Sequence, residues 1–382
     1  MLFGQSGNFA ASISLVSLDG SNGFRLDGVL LGDGAGTDIS AAGNINGDGV
    51  ADLIIGAPGA AANGAGSGAS YVLFGKTGGF SATQVLDTLD GSNGFRLDGV
   101  AIGDQSGRAV SAAGDVNGDG FDDVLIGAKD ADPHGNSSGT TYLLFGQAGG
   151  FSAAIALSSL TGLSGWRIEG VAAGDLSGTV VSAAGDVNGD GYDDIMVGVD
   201  SASPNGAASG SSYVVSGRDF TAITDQRGGT GADTLTGTSA DERIIGGLGN
   251  DTIDGGGGAD VLRSGGGDDT FVWRDGVQRI DGGGGNDTLR ITDTGTVFLT
   301  GQSELRNLEI LDLRGGSGNS VVLDAHSVRA LSDAPHHLPC WVTVTISSIS
   351  SAHGPMRAKW WPVSSATPPA AFEWMSNPTW QS

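Results

Sequence analysis

The chain repeats itself at a spacing of 71 residues. SLDGSNGFRLDGV from Ser17 returns as TLDGSNGFRLDGV from Thr88 and as SLTGLSGWRIEGV from Ser159. The same offset relates NINGDGVAD from Asn44, DVNGDGFDD from Asp115 and DVNGDGYDD from Asp186, and it relates the LFG triplets at Leu2, Leu73 and Leu144. One structural unit is therefore built three times over about 17–217, and each unit buries its apolar face only against its neighbours. Turn residues cut each unit into short apolar runs. In the second unit these are GFRLDGV (94–100), RAVSAAG (108–114), DVLIGA (123–128) and TYLLFG (141–146). Four short strands per unit, without helix-length periodicity, predict an all-β fold whose units are propeller blades.

A second period begins at Gly228. Nonapeptides starting at 228, 237, 246, 255, 264, 273 and 282 keep one frame, with Leu235, Ile244, Ile253, Leu262, Phe271, Ile280 and Leu289 at the eighth position. Their sixth positions are Asp233, Glu242, Asp251, Asp260, Asp269, Gln278 and Asp287. A flexible glycine linker has no reason to hold an apolar residue at every eighth place. The pattern predicts ordered repeats that share a continuous apolar core.

Phe-Gly at 74–75 and Gly-Ala-Pro at 56–58 bracket one of the long units, which resembles the FG-GAP repeat of integrin alpha-type propellers. Gly127-Ala128-Lys129, Gly198-Val199-Asp200 and Ser216-Gly217 depart from that signature. GGTGADTLT, GGLGNDTID, GGGGADVLR and GGGGNDTLR resemble the GGxGxDxUx repeat of RTX, or hemolysin-type, calcium-binding proteins. The expected organisation is three FG-GAP blades over 1–219, the RTX β-roll over 220–292, a β-rich extension over 293–333 and an atypical tail over 334–382. Closed propellers have roughly four to eight blades, so three complete ones read as the end of a longer propeller, or as half of a pairing with another chain. In the tail glycine and acid give way to Trp, Pro and His, a shift expected of an out-of-frame or disordered segment.

The blade loops carry chemistry at fixed spacing. In DVNGDGFDD, oxygen-bearing side chains stand at positions 1, 3, 5 and 9, namely Asp115, Asn117, Asp119 and Asp123, and Phe121 at position 7 offers a backbone carbonyl. Calcium takes six to eight hard oxygen ligands, and a loop of alternating inward residues supplies them. The third unit has Asp186, Asn188, Asp190, Tyr192 and Asp194; the first has Asn44, Asn46, Asp48, Val50 and Asp52, one formal charge weaker. An EF-hand shares the spacing but needs Glu at position 12 and flanking helices, where this chain has Ile55, Ile126 and Val197 beside short strands.

In the roll the RTX resemblance implies that glycine loops present carbonyls and that the sixth-position carboxylate completes a calcium site. The residues so implied are Gly228, Gly229, Gly231 and Asp233; Gly246, Gly247, Gly249 and Asp251; Gly255, Gly256, Gly258 and Asp260; and Asp269 and Asp287. It also implies a parallel β-roll with two nonapeptides per turn, so that residues eighteen apart stack.

Net charge is −25, which repels nucleic acid and anionic membranes and attracts cations. No apolar run is long enough for a membrane-spanning helix, and the N-terminus lacks the basic and apolar regions of a cleavable signal. Cys340 is the single cysteine, so disulfides do not staple the repeats. No His-Glu-x-x-His motif occurs, and His134 falls in a turn-rich segment. The expectation is a non-enzymatic, secreted or surface-located calcium-binding protein exported by a type I-like route. It would mediate adhesion or other extracellular interactions with a protein or glycan ligand. Two alternatives stay open: the calcium-binding, secretion part of a larger secreted hydrolase, and a structural surface or matrix component.

Overall fold

A computed structural model describes residues 1–3, 11–220, 224–292, 296–299, 304–312, 320–322 and 343–345. Apart from Thr343–Thr345, the expectation for the tail lies outside the described residues. Among them there is no α-helix, only single 3₁₀ turns at Leu15–Ser17, Leu86–Thr88 and Leu157–Ser159, themselves 71 residues apart.

Each long unit forms an antiparallel sheet. Blade 1 orders Ile39–Gly43, Asp52–Ala57, Ala69–Leu73 and Gly94–Asp98; blade 2 orders Ala109–Gly114, Asp123–Ala128, Thr140–Leu144 and Gly165–Glu169. Blade 3 has Val180–Gly185, Asp194–Val199 and Ser211–Val215. The structural blade is out of phase with the sequence unit. GFRLDGV, first in its unit by sequence, pairs with Ala69–Leu73 of the unit before. The intervening loop doubles back on its own sheet, with the Phe74 N–H on Asn93 O and the Gly91 N–H on Gly94 O. That return carries the run to the edge of the blade it has just left.

Blades pack face to face. Ile54 and Val72 of blade 1 meet Val110, Val124, Ile126 and Leu144 of blade 2, and Leu125 and Leu143 of blade 2 meet Val181 and Ile195 of blade 3. On the far face of blade 3 the repeat-mates of Leu125 and Leu143, Met196 and Val214, are 39% and 55% exposed. That face has no blade against it among the described residues.

The short period builds a parallel two-sheet solenoid. One sheet stacks Gln226–Arg227, Arg243–Leu248, Val261–Gly266, Arg279–Asp281 and Glu304–Arg306; the other stacks Thr234–Thr236, Thr252–Asp254, Thr270–Val272, Thr288–Arg290, Ile310–Asp312 and, from the tail, Thr343–Thr345. Register advances eighteen residues per turn, as in Leu235↔Ile253↔Phe271↔Leu289 and Ile244↔Leu262↔Ile280. These eighth-position side chains are the core, and all but Leu235 are fully buried. Each such burial stabilises by about 1.5–3 kcal/mol. The 273–281 nonapeptide, which has lost its glycine pair, still places Ile280 in the core. Parallel pairing continues past the glycine-rich repeats, with Ile280↔Leu305 and Leu289↔Leu311.

Candidate metal centres

The three blade loops wind in one way. In blade 2 the Asp119 and Gly120 N–H groups donate to the two carboxylate oxygens of Asp115 at 3.0 and 2.9 Å. Asn117 Oδ1 accepts from the Asp119 N–H, and Asp119 Oδ1 accepts from the Phe121 N–H. Blade 3 repeats this with Asp186 accepting from Gly189, Asp190 and Gly191, Asn188 from Asp190, and Asp190 from Tyr192. In blade 1, Asn46 accepts from the Asp48 N–H and Asp48 from the Val50 N–H. The sequence places oxygens at alternate positions, and in all three loops those of positions 3 and 5 accept the N–H two residues on.

The ninth position has a second task. Asp52 accepts from the Ile45 and Gly75 N–H groups, Asp123 from Val116 and Gly146, and Asp194 from Val187 and Gly217. Each carboxylate thus ties the start of its loop to the end of the third strand. This explains the Gly of Phe-Gly, and why Ser216-Gly217 suffices in blade 3. A Cβ on Gly217 would stand 2.3 Å from Asp193 O, so the backbone approaches too closely for any side chain.

Burial raises the pKa values of these carboxylates. Burial pushes Asp52 up to about 7 against the N–H groups it accepts. Burial, with Asp115 nearby, pushes Asp119 up to about 7. Burial, with Asp119 and Asp115, holds Asp123 well above the usual carboxylate range, and burial raises Asp186.

The roll carboxylates form ladders. The Asp233 N–H donates to Asp251, the Asp251 N–H to Asp269 and the Asp269 N–H to Asp287, at 2.8, 2.6 and 2.9 Å. The Glu242 N–H donates to Asp260 on the other side. Asp251, Asp260, Asp269 and Asp287 each use one oxygen in this way, whereas Asp233 accepts from the Gly229 N–H and Glu242 from the Thr238 N–H. The second oxygen of Glu242, Asp251, Asp260, Asp269 and Asp287 is buried and accepts no hydrogen bond. In Asp251 and Asp260 it is turned toward the repeat's first glycine, where a Cβ on Gly246 or Gly255 would meet it at 2.4 or 2.2 Å. Burial raises the pKa of Asp251, Asp260 and Asp269, and takes Asp287 up to about 8. Among the described residues no three His, Cys, Asp or Glu side chains converge on one point, so each roll position brings one carboxylate to its glycine loop.

Sequence reasoning left out several residues. Asp122 and Asp193, at loop position 8, accept the N–H of Asn44 and Asp115 from the preceding blade's loop. The DD pair in the second and third units, against Ala51-Asp52 in the first, was the available signal. Glu242 stood in the nine-residue frame, and Glu309 extends the ladder by accepting the Asp287 N–H at 2.7 Å. Gly135-Asn136-Ser137-Ser138-Gly139 fits the GxSxG spacing of hydrolase nucleophiles. Ser137 has φ +52° in a tight turn, as do its repeat-mates Gly66 and Ala208 with φ +65° and +49°. No strand-to-helix elbow surrounds it, and His134 Nδ1 is taken by Gly170 O.

Comparison with known proteins agrees with this geometry. The FG-GAP repeat model matches residues 35–73, 106–144 and 177–215, and the RTX calcium-binding nonapeptide repeat model matches 236–271 and 275–290. Among curated proteins, integrin alpha-4 of Xenopus laevis is 27% identical over 46% of this chain, and integrin alpha-PS2 of Drosophila melanogaster 30% identical over 51%. The chain spans only 15% and 13% of those relatives' lengths. The chain therefore carries three FG-GAP repeats, followed by RTX calcium-binding nonapeptide repeats.

Proposed function

We propose that this is a non-enzymatic, extracellular or surface-located protein in which calcium fastens repeat domains that engage a protein or glycan partner. The observation that carries the calcium reading is the row of buried carboxylate oxygens in Glu242, Asp251, Asp260, Asp269 and Asp287, none accepting a hydrogen bond. A buried acceptor left without a partner costs about 1–3 kcal/mol, and more when charged. Five in one solenoid is a pattern rather than an accident. A divalent cation supplies the missing positive charge, and hard oxygens suit calcium.

In the roll, Asp233, Asp251, Asp269 and Asp287 on one side and Asp260 on the other would hold the ion with loop carbonyls of Gly228, Gly229, Gly231, Gly246, Gly247, Gly249, Gly255, Gly256 and Gly258. In the blades the ligands would be Asn44, Asn46, Asp48, Val50 carbonyl and Asp52; Asp115, Asn117, Asp119, Phe121 carbonyl and Asp123; and Asp186, Asn188, Asp190, Tyr192 carbonyl and Asp194. Among the described residues no helix is long and apolar enough to cross a membrane. The adhesive reading rests on the likeness of the blades to integrin alpha chains.

Circular dichroism during calcium titration of the full chain tests the reading. β-Content and melting temperature should rise, with midpoints of about 10⁻⁴–10⁻³ M as in extracellular modules. Spectra and melting curves identical in calcium and in chelator would overturn it.

A further inference from the structure

The first sheet of the roll has two unlike faces. Ile244, Leu262, Ile280 and Leu305 point inward as core. Ile245, Arg263, Asp281 and Arg306, in register, therefore point away from the core, as do Arg243, Val261 and Arg279 in the row beside them. On a free-standing roll that arginine-rich face would lie in water. Here Arg263 and Arg279 are 3% and 1% exposed.

What covers them is the loop ends of blades 2 and 3. Arg263 donates to Asp115 O at 2.9 Å, and its guanidinium lies 3.2 Å from the Asp115 carboxylate and 3.4 Å from Asp193. Arg279 lies 3.6 Å from Asp122 and 3.7 Å from Asp281. Arg306 forks onto both oxygens of Asp122 at 3.3 and 3.1 Å. Three guanidinium groups thus meet four carboxylates. Burial opposes the charge on Arg263, yet Asp193, Asp115 and Asp281 hold its pKa above the ordinary value. Burial would likewise raise Asp122, but Arg279 and Arg306 hold it well below the usual carboxylate range. Around this charged centre the fit is close. A Cβ on Gly191 would stand 2.5 Å from Ile245 Cγ2, and one on Gly120 2.6 Å from Val261 Cγ2. These glycines leave room for the roll as well as for the loop turn.

We propose that the roll is the propeller's own ligand: its arginine face caps the loops of blades 2 and 3, so that calcium, by folding the roll, closes that surface. The capping groups act on the loops' position-8 aspartates, which already tie each loop to the blade before it. Docking the roll therefore stiffens the three-blade stack as well as covering it. Without calcium the roll loosens, and Asp115, Asp122 and Asp193 become available to another cationic surface. Because Arg263, Asp115 and Asp122 are buried, and Arg263 and Arg306 donate hydrogen bonds to the loops, the closed state should resist salt, and removing one partner should cost far more than at an exposed pair. The calcium dependence of this switch rests on the function proposed above; the capping itself does not.

Amide hydrogen exchange on the full chain tests it, for wild type, Arg263→Gln and Arg306→Gln in saturating calcium. In both variants the second sheet of the roll, Thr252–Asp254 and Thr270–Val272, should stay protected while loops 115–122 and 186–193 exchange faster. A tenfold increase, equivalent to about 1.4 kcal/mol, is expected for Arg263→Gln, and a smaller one for the half-buried Arg306→Gln. If Arg263→Gln unfolds the roll, Arg306→Gln decides. Wild-type loop protection with a folded roll in either variant would overturn the capping. A parallel calcium titration of wild type separates the two ideas. Second-sheet amides indifferent to calcium would defeat the calcium reading, and loop amides indifferent to it while the second sheet responds would defeat the switch.

Discussion

The blade loops and the roll ladders both crowd carboxylates, yet they stand differently without an ion. In the loops, Asp115, Asp119 and Asp123 spend their oxygens on N–H groups of their own turn and of Gly146. In the roll, each of Asp251, Asp260, Asp269 and Asp287 keeps one oxygen buried and unused. A loop that satisfies its acceptors internally can hold its shape before a cation arrives. A ladder that leaves one acceptor per repeat unsatisfied depends on the cation for its fold, which couples binding to folding. The blades also have cores formed between wide antiparallel sheets, whereas the roll's core is a two-column stack in which every turn leans on the next.

The broadest way to break this contrast is pH in the absence of calcium. In the blades, which keep their shape without the ion, Asp52 and Asp119 are raised from the ordinary 3.8 to about 7. A carboxyl whose folded pKa is raised binds its proton more tightly in the folded chain, so its contribution to stability is present below about pH 4. It is lost as pH rises through the folded value. Calcium-free melting temperature should therefore fall between about pH 4 and pH 7, and saturating calcium should flatten the dependence. A calcium-free melting temperature that climbs over that window would count against the burial of these groups.

Asp251→Ala acts on the roll alone. It removes the acceptor of the Asp233 N–H and one member of the continuous ladder. Losing a hydrogen bond to a charged group costs about 1.5–3 kcal/mol, which corresponds to roughly a tenfold or larger rise in the calcium midpoint of the roll. Fluorescence of Trp273, which is buried in the roll core, follows that transition. A midpoint shift under twofold would mean that Asp251 is not a shared position.

Gly217→Ala acts on blade 3 and should leave the roll midpoint in place. The added Cβ would press on Asp193 O, costing about 1–3 kcal/mol through backbone displacement. The expected signature is a lower melting temperature with an unchanged calcium midpoint for Trp273. A glycine tolerant of this change would show that the strand-end approach is looser than drawn.

Much of this was legible from two periods. Offsets of 71 and 18 residues encode contacts between neighbouring copies, so strands, core positions such as Ile253 and Leu125, and loop oxygens could all be placed by counting. The phase of the blade could not. Whether Gly94–Asp98 joins the sheet before it or after it depends on the return of loop 74–93, and the period shows that this loop recurs but not which sheet it returns to. The docking of the roll was less legible still. Arg263 meets Asp115 across 148 residues, and Arg306 meets Asp122 across 184. Those pairs join one repeat family to another, so no internal copy announces them, and from sequence the two families read as independent.

Hydrogen exchange of the full chain with calcium and with chelator puts the central contrast to the most direct test. The account expects the roll amides of Ile253, Leu262 and Phe271 to lose protection in chelator while those of Val124, Leu125 and Ile126 in blade 2 keep theirs. Roll and blade amides that lose protection together, or a roll that keeps its protection without calcium, would contradict it.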